Sequence, residues 1–174
     1  MVIVMDKRNF KGHQVVLSLG GNVGNTKEIF KNAILFLEKK VGKLISKSAL
    51  YKTKAWGVED QPDFLNQVVI IVTESEPADL LKICMELEKE YGRNRTQTNK
   101  WEERTLDIDI LFYEDRIINT DALIIPHPYI HKRNFILIPL VEIIPDYIHP
   151  SLKKSIKQLK KTSKDKLQVI KLLD

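Results

Sequence analysis

Apolar and polar positions along the chain follow two periods, and the switches between them set out the elements. Residues 14–19, QVVLSL, form a compact apolar run that reads as a first, central strand, emptying into the turn cluster GGNVGN at 20–25. After it Ile29, Phe30, Ala33, Ile34 and Leu37 recur at helical spacing. Asn25 or Thr26 can cap that helix, and Gly42 stops it. Residues 43–53 and 64–73 read as strands joined by the loop KAWGVEDQPD. Pro77 opens a second helix, whose stripe of Leu80, Cys84, Leu87 and Tyr91 ends at Gly92. From Thr105 the period returns to two: Leu106, Ile108, Ile110 and Phe112 point one way, Asp107 and Asp109 the other. A hairpin-like segment at 117–125 and a helix near 138–144 follow. The chain then offers a small amphipathic helix at 151–161 and a last strand at 167–172.

The core order β-α-β-β-α-β predicts an α+β, ferredoxin-like fold, an antiparallel sheet with helices on one face. It reads as one domain over 1–174, with an N-terminal extension at 1–13 and a C-terminal elaboration at 146–174. Apolar residues make up 43% and charged residues 29%, as in ordinary soluble globular proteins. No apolar run is long enough to span a membrane. The single cysteine, Cys84, cannot form an internal disulfide, and no leader pattern opens the chain, so a cytoplasmic location is expected. The net charge of +5 fits an anionic partner, but much of the excess lies in the 153–171 tail, where a solvated basic face explains it.

Chemistry concentrates at Asp107 and Asp109. Residues two apart on a strand share a face with side chains roughly 7 Å apart, and like charges there repel unless a cation intervenes. Hard oxygen ligands at that spacing suit Mg²⁺ carrying substrate phosphates. An arbitrary D-x-D is more often a solvated strand face. Here the cation-rich loop with Arg93, Arg95, Lys100 and Arg104 lies just upstream, and carboxylates for metal beside arginines for phosphate make up the parts of phosphoryl-group transfer. That loop is long, with Trp101 nearly its only apolar residue, and is expected to act as a lid that orders on ligand.

Three further groups stay open between structure and ligand. His127, His131, Lys132 and Arg133 cluster after PHP, equally consistent with an anion-facing group and a solvated loop; Phe135 beside them suits the core or stacking on a flat ligand. Trp56 must pack on the body or on a ligand. Asn66, near Thr53 and Phe64, offers donors and acceptors that match a heterocycle edge, with structural hydrogen bonding the equal alternative. GGNVGN is neither a P-loop nor G-x-G-x-x-G, and tight turning explains its glycines. An RNA-binding ferredoxin-like module would need strand aromatics at RNP positions, which are missing, and acidic side chains on the sheet would repel phosphate backbones.

Taken together, LSLGGNVGN, DQPDFLNQV, RTLDIDILFY and PHPYIHKRNFIL, in this order over about residues 14–145, resemble the 6-hydroxymethyl-7,8-dihydropterin pyrophosphokinase family of folate biosynthesis. The resemblance implies a ferredoxin-like monomer that transfers the β,γ-pyrophosphoryl unit of ATP to the pterin hydroxymethyl group and releases AMP, with no nucleic-acid or membrane partner. It implies two Mg²⁺ ions on Asp107 and Asp109. It places Arg93, Arg95 and Arg104 around a mobile catalytic loop that also carries Trp101, and His127 and Arg133 on the triphosphate. Thr53, Trp56, Phe64, Asn66 and Phe135 would build the pterin pocket, Phe64 and Phe135 sandwiching the ring. Glu88 and Ile110 align with nucleotide-side positions. This chain has Glu102-Glu103 where the family usually has a small residue and often proline, and Ala55 for a common proline. The acidic pair is expected to point away from the triphosphate; facing it, the pair would favour a non-catalytic nucleotide-binding relative.

Overall fold

The computed structural model describes residues 11–54, 61–92 and 103–173. At its centre β1 (His13–Gly21) pairs antiparallel with β4 (Phe64–Thr73) on one side and β5 (Asp107–Tyr113) on the other. β4 pairs in turn with β2 (Gly42–Lys47) and β3 (Tyr51–Thr53), and β8 (Val169–Lys171) lies on the outer edge of β3. A small hairpin, β6 (Ile118–Asn119) with β7 (Ile124–Ile125), stands apart. The ferredoxin-like order is therefore present with its second strand in two pieces. The expected strand over 43–53 breaks at Ser48, which bonds Val68 by itself. Its N–H donates to the Val68 carbonyl at 2.9 Å and its hydroxyl accepts the Val68 N–H at 3.0 Å. β1 begins at His13, inside the expected extension.

Helices cover both faces of the sheet, which corrects the expectation of one. α1 (Thr26–Lys40), capped by the Asn25 side chain, and α2 (Pro77–Glu90) lie on the first face. There Phe30, Ala33, Leu37, Leu80, Cys84 and Leu87 close over Val15, Leu17, Leu19, Val69, Ile71 and Ile108. α3 (Asn134–Ile143) and α4 (Ile156–Thr162) lie on the second, with Ile136, Leu137, Leu140, Ile156 and Leu159 over Val16, Val68, Ile70, Leu111 and Phe112. The unbroken VVIIV of β4, residues 68–72, is the sequence trace of this: a strand buried on both sides has no polar face to alternate.

β5 departs from strict alternation. Val16 pairs with Phe112 and Leu17 with Ile110, so Leu111 is an inserted bulge residue. The bulge turns Phe112 onto the second face, whereas Ile108 and Ile110 stay on the first; Phe112 does not share their face as the spacing predicted. α3 also begins four residues before the expected 138, which sets Arg133 at its N-cap position and Phe135 in its first turn.

Candidate active site

The second face of the sheet divides into two halves. Near α3 and α4 it is apolar; toward the other end the same strands carry Ser18, Gly20, Asn66, Asp107 and Asp109. Register fixes this group: Gly20 stands opposite both Asn66 and Asp107, and Ser18 opposite Asp109. Gly20 is the spacer. A Cβ built there would lie 3.7 Å from Asn66 Oδ1 and 4.0 Å from Asp107 Cβ, so the absence of a side chain leaves the space between these two polar groups open. Asn66 is buried and donates through Nδ2 to Thr53 Oγ1 at 3.2 Å, tying two expected pocket residues together.

Arg104 pairs with Asp107 as residues 24% and 15% exposed, a sheltered ion pair that water screens weakly. Its guanidinium also sits over the Phe64 ring, 5.8 Å from the centroid. On the opposite side, the carbonyl of the bulged Leu111 accepts the His127 N–H at 3.0 Å, so the strand irregularity anchors the His127 loop. His127 Nδ1 accepts the Tyr129 N–H at 3.3 Å, leaving Nε2 as the protonated donor. Burial, then the nearby Arg133 charge, push its pKa down to about 4 against a smaller opposing pull from Asp107. At neutral pH it is an uncharged hydrogen-bond donor. Arg133 lies over Tyr129 at 4.9 Å and over Phe135 at 5.6 Å.

Arg104, Asp107, Asp109, His127, Arg133, Thr53, Phe64, Asn66 and Phe135 thus gather around one end of the second face. Two residues expected on the nucleotide side keep their side chains buried behind this face. Ile110 is 4% exposed in the core under α1 and α2, because the alternation that turns Asp109 outward turns Ile110 inward. Glu88 is 1% exposed, and its carboxylate accepts the Ile108 N–H at 2.8 Å. It fixes the peptide between the two aspartates at the sheet's edge. Trp56 lies outside the described residues, as do Arg93, Arg95, Trp101 and Glu102 of the expected lid; Glu103 is exposed.

The GGNVGN turn does more than turn. Gly21 lets the Thr105 carbonyl approach to 2.5 Å of where a Cβ would be. Asn22 donates its N–H to the Arg104 carbonyl and accepts the Arg104 N–H on Oδ1, both at 2.9 Å, and reaches the Pro62 carbonyl through Nδ2 at 3.2 Å. It therefore seats Arg104. The sequence signal was an asparagine directly after two glycines, which tight turning alone does not require.

As a metal site the pair is incomplete by itself. Among the described residues no group of three or more His, Cys, Asp or Glu converges. Two hard carboxylates, one already holding a cationic guanidinium, fit Mg²⁺, which binds through one or two carboxylates and completes its shell with water and substrate phosphates.

The profile of the 7,8-dihydro-6-hydroxymethylpterin-pyrophosphokinase (HPPK) family matches residues 16–145. The chain belongs to this family. A 2-amino-4-hydroxy-6-hydroxymethyldihydropteridine pyrophosphokinase of Aquifex aeolicus is 43% identical over 148 residues, 84% of this chain and 89% of that protein. One from Synechocystis is 38% identical over 84% of this chain and 74% of its own length. In structure, an HPPK-DHPS of Plasmodium falciparum superposes with a TM-score of 0.70 at 21% identity, over 87% of this chain and 43% of that one, a likeness of fold. As an HPPK the chain is a pyrophosphokinase of folate biosynthesis, and the RNA-module reading is set aside. Among the described residues no helix is long and apolar enough to cross a membrane.

Proposed function

We propose that the polar half of the second face transfers the β,γ-pyrophosphoryl unit of ATP to the hydroxymethyl oxygen of 6-hydroxymethyl-7,8-dihydropterin. A bond forms from that oxygen to the β-phosphorus, the bond from the β-phosphorus to the α,β-bridging oxygen breaks, and AMP leaves with the bridging oxygen. The hydroxyl proton passes to solvent. The observation that carries the reading is the gathering of Asp107, Asp109 and Arg104 beside the Thr53–Asn66 pair across side-chain-free Gly20.

Asp107 and Asp109 would hold Mg²⁺, two ions in the family's pattern, and bound Mg²⁺ would neutralise phosphate charge and orient the leaving group. Arg104 brings a guanidinium to the place where charge grows on the transferred group. His127 donates from Nε2 to a triphosphate oxygen without adding a charge, and Arg133 supplies one beside it. Asn66, its amide oriented by Thr53, reads the pterin edge, while Phe64 and Phe135 stack on the ring. No general base is needed if positioning brings the hydroxyl to the phosphorus. The working unit in this reading is a monomer, as the family resemblance implies. Cys84, buried in the first core, suits a reducing cytoplasm.

The test is AMP release from ATP, Mg²⁺ and hydroxymethyl-dihydropterin by the wild type, Asp107→Ala and Asp109→Ala. Both variants should lose turnover and keep their thermal midpoint. Unchanged Mg²⁺-dependent turnover in either one removes the proposed metal site.

A further inference from the structure

The segment after α4 lies beyond the residues matched by the family profile, yet it is bonded to both walls of the site. Building on the proposed roles of Arg133, Phe135 and Thr53, we infer that Asp165 is a positioning residue that caps α3 from outside and so fixes Arg133 and Phe135. The N-cap position of α3 is Arg133, which makes no side-chain cap bond. Helix N-termini leave N–H groups without partners inside the helix, and a carboxylate satisfies them with favourable charge. Asp165 does this from 31 residues away: its Oδ2 accepts the Asn134 N–H at 2.6 Å. Its main-chain carbonyl accepts Asn134 Nδ2 at 2.7 Å. Asn134 is the residue between Arg133 and Phe135, so both flanking side chains stand next to a residue that Asp165 holds twice, at its peptide N–H and at its side-chain amide.

Asp165 is itself held. Its Oδ1 accepts the Leu167 N–H at 2.8 Å and its N–H donates to Ser163 Oγ at 3.3 Å. A few residues on, the chain pairs with β3, with Val169 opposite Thr53. Lys171 Nζ meets Glu142 Oε1 at 2.7 Å, while Glu142 Oε2 accepts from the Tyr51 hydroxyl at 3.0 Å and the Ala49 N–H at 2.9 Å. One short stretch thus spans from the wall carrying Arg133 and Phe135 to the strand carrying Thr53. Asn134 Oδ1 is buried without a hydrogen-bond partner among the described residues, so the hold on this side chain is the Nδ2 bond to the Asp165 carbonyl.

The experiment compares wild type, Asp165→Ala and Asp165→Asn for KM of pterin and ATP, kcat, thermal midpoint and amide exchange at residues 134–137. Asp165→Ala should raise the pterin KM about tenfold and the ATP KM less, with little change in kcat, the size expected for losing a charge-assisted bond. Exchange should speed up at 134–137 and stay unchanged in α1. Asp165→Asn, whose amide oxygen can still accept, should fall between the two. Wild-type KM values with wild-type exchange, or a lowered midpoint with unchanged KM, overturn the inference. If Asp165→Ala does not fold, the same criteria apply to Asp165→Asn. An inactive wild type would instead refute the proposed reaction, and exchange at 134–137 would still report on the cap.

Discussion

The two faces of one sheet are built from the same strands and end up with different work. On the first, Leu17, Leu19, Val69, Ile71, Ile108 and Ile110 meet α1 and α2 in an apolar core, with the buried Glu88 carboxylate bonded to the Ile108 N–H. On the second, α3 and α4 cover only the part around Val16, Val68, Ile70 and Leu111. Beyond them Ser18, Gly20, Asn66, Asp107 and Asp109 continue the same face with polar groups. Alternation makes this division available: each aspartate sits between residues locked into the first core, so the backbone that presents the carboxylates is held from behind. Substitutions on the first face should therefore act on stability, and those on the polar half of the second on chemistry.

The sharpest way to break that contrast is Arg104→Ala. It should lower kcat by roughly two to four orders of magnitude with a smaller change in KM, as for a group acting on transition-state charge. A pure KM effect in steady-state kinetics would assign Arg104 to ground-state binding. Leu80→Ala, at a fully buried position on the inner side of α2, should do the opposite. It should cost about 2–5 kcal/mol in denaturant unfolding and leave kcat of the folded fraction unchanged. Phe64→Ala and Phe135→Ala should each weaken pterin binding by about 1–3 kcal/mol in calorimetry while leaving ATP binding nearly intact. Equal losses for both ligands would make the rings part of the packing.

The smallest effect tests His127. Its pKa is about 4 in the fold against 6.5 unperturbed, so the unfolded chain takes up the proton first as pH falls. The neutral ring's contribution is fully present above pH 6.5 and drains away between 6.5 and about 4. His127→Asn should lose less stability than wild type between pH 7 and pH 5, read as the shift in denaturant midpoint. Parallel loss in both proteins would mean that the imidazole is solvated.

Where structure follows from neighbours in the chain, the sequence is readable. α1 carries its own cap at Asn25, α2 opens on Pro77, and Asp107 and Asp109 announce themselves by their spacing beside Arg104. Where it follows from distant partners, the signal is faint. The start of α3 was hidden because its cap is Asp165 and Pro139 lies inside the helix. The bulge at Leu111 was hidden because Leu111 and Phe112 are both apolar and either can face a core. Gly20 and Asn22 read as turn residues; only the pairing of β1 with two neighbours shows one as a spacer and the other as the seat of Arg104.

The central claim is that this polar half-face moves a pyrophosphoryl unit intact. Phosphorus NMR of wild-type protein with ATP, Mg²⁺ and hydroxymethyl-dihydropterin tests it directly. AMP and a pterin carrying a two-phosphorus chain should appear in equal amounts, and neither should form when pterin is omitted. ADP with a monophosphorylated pterin, or AMP released at the same rate without pterin, would contradict it.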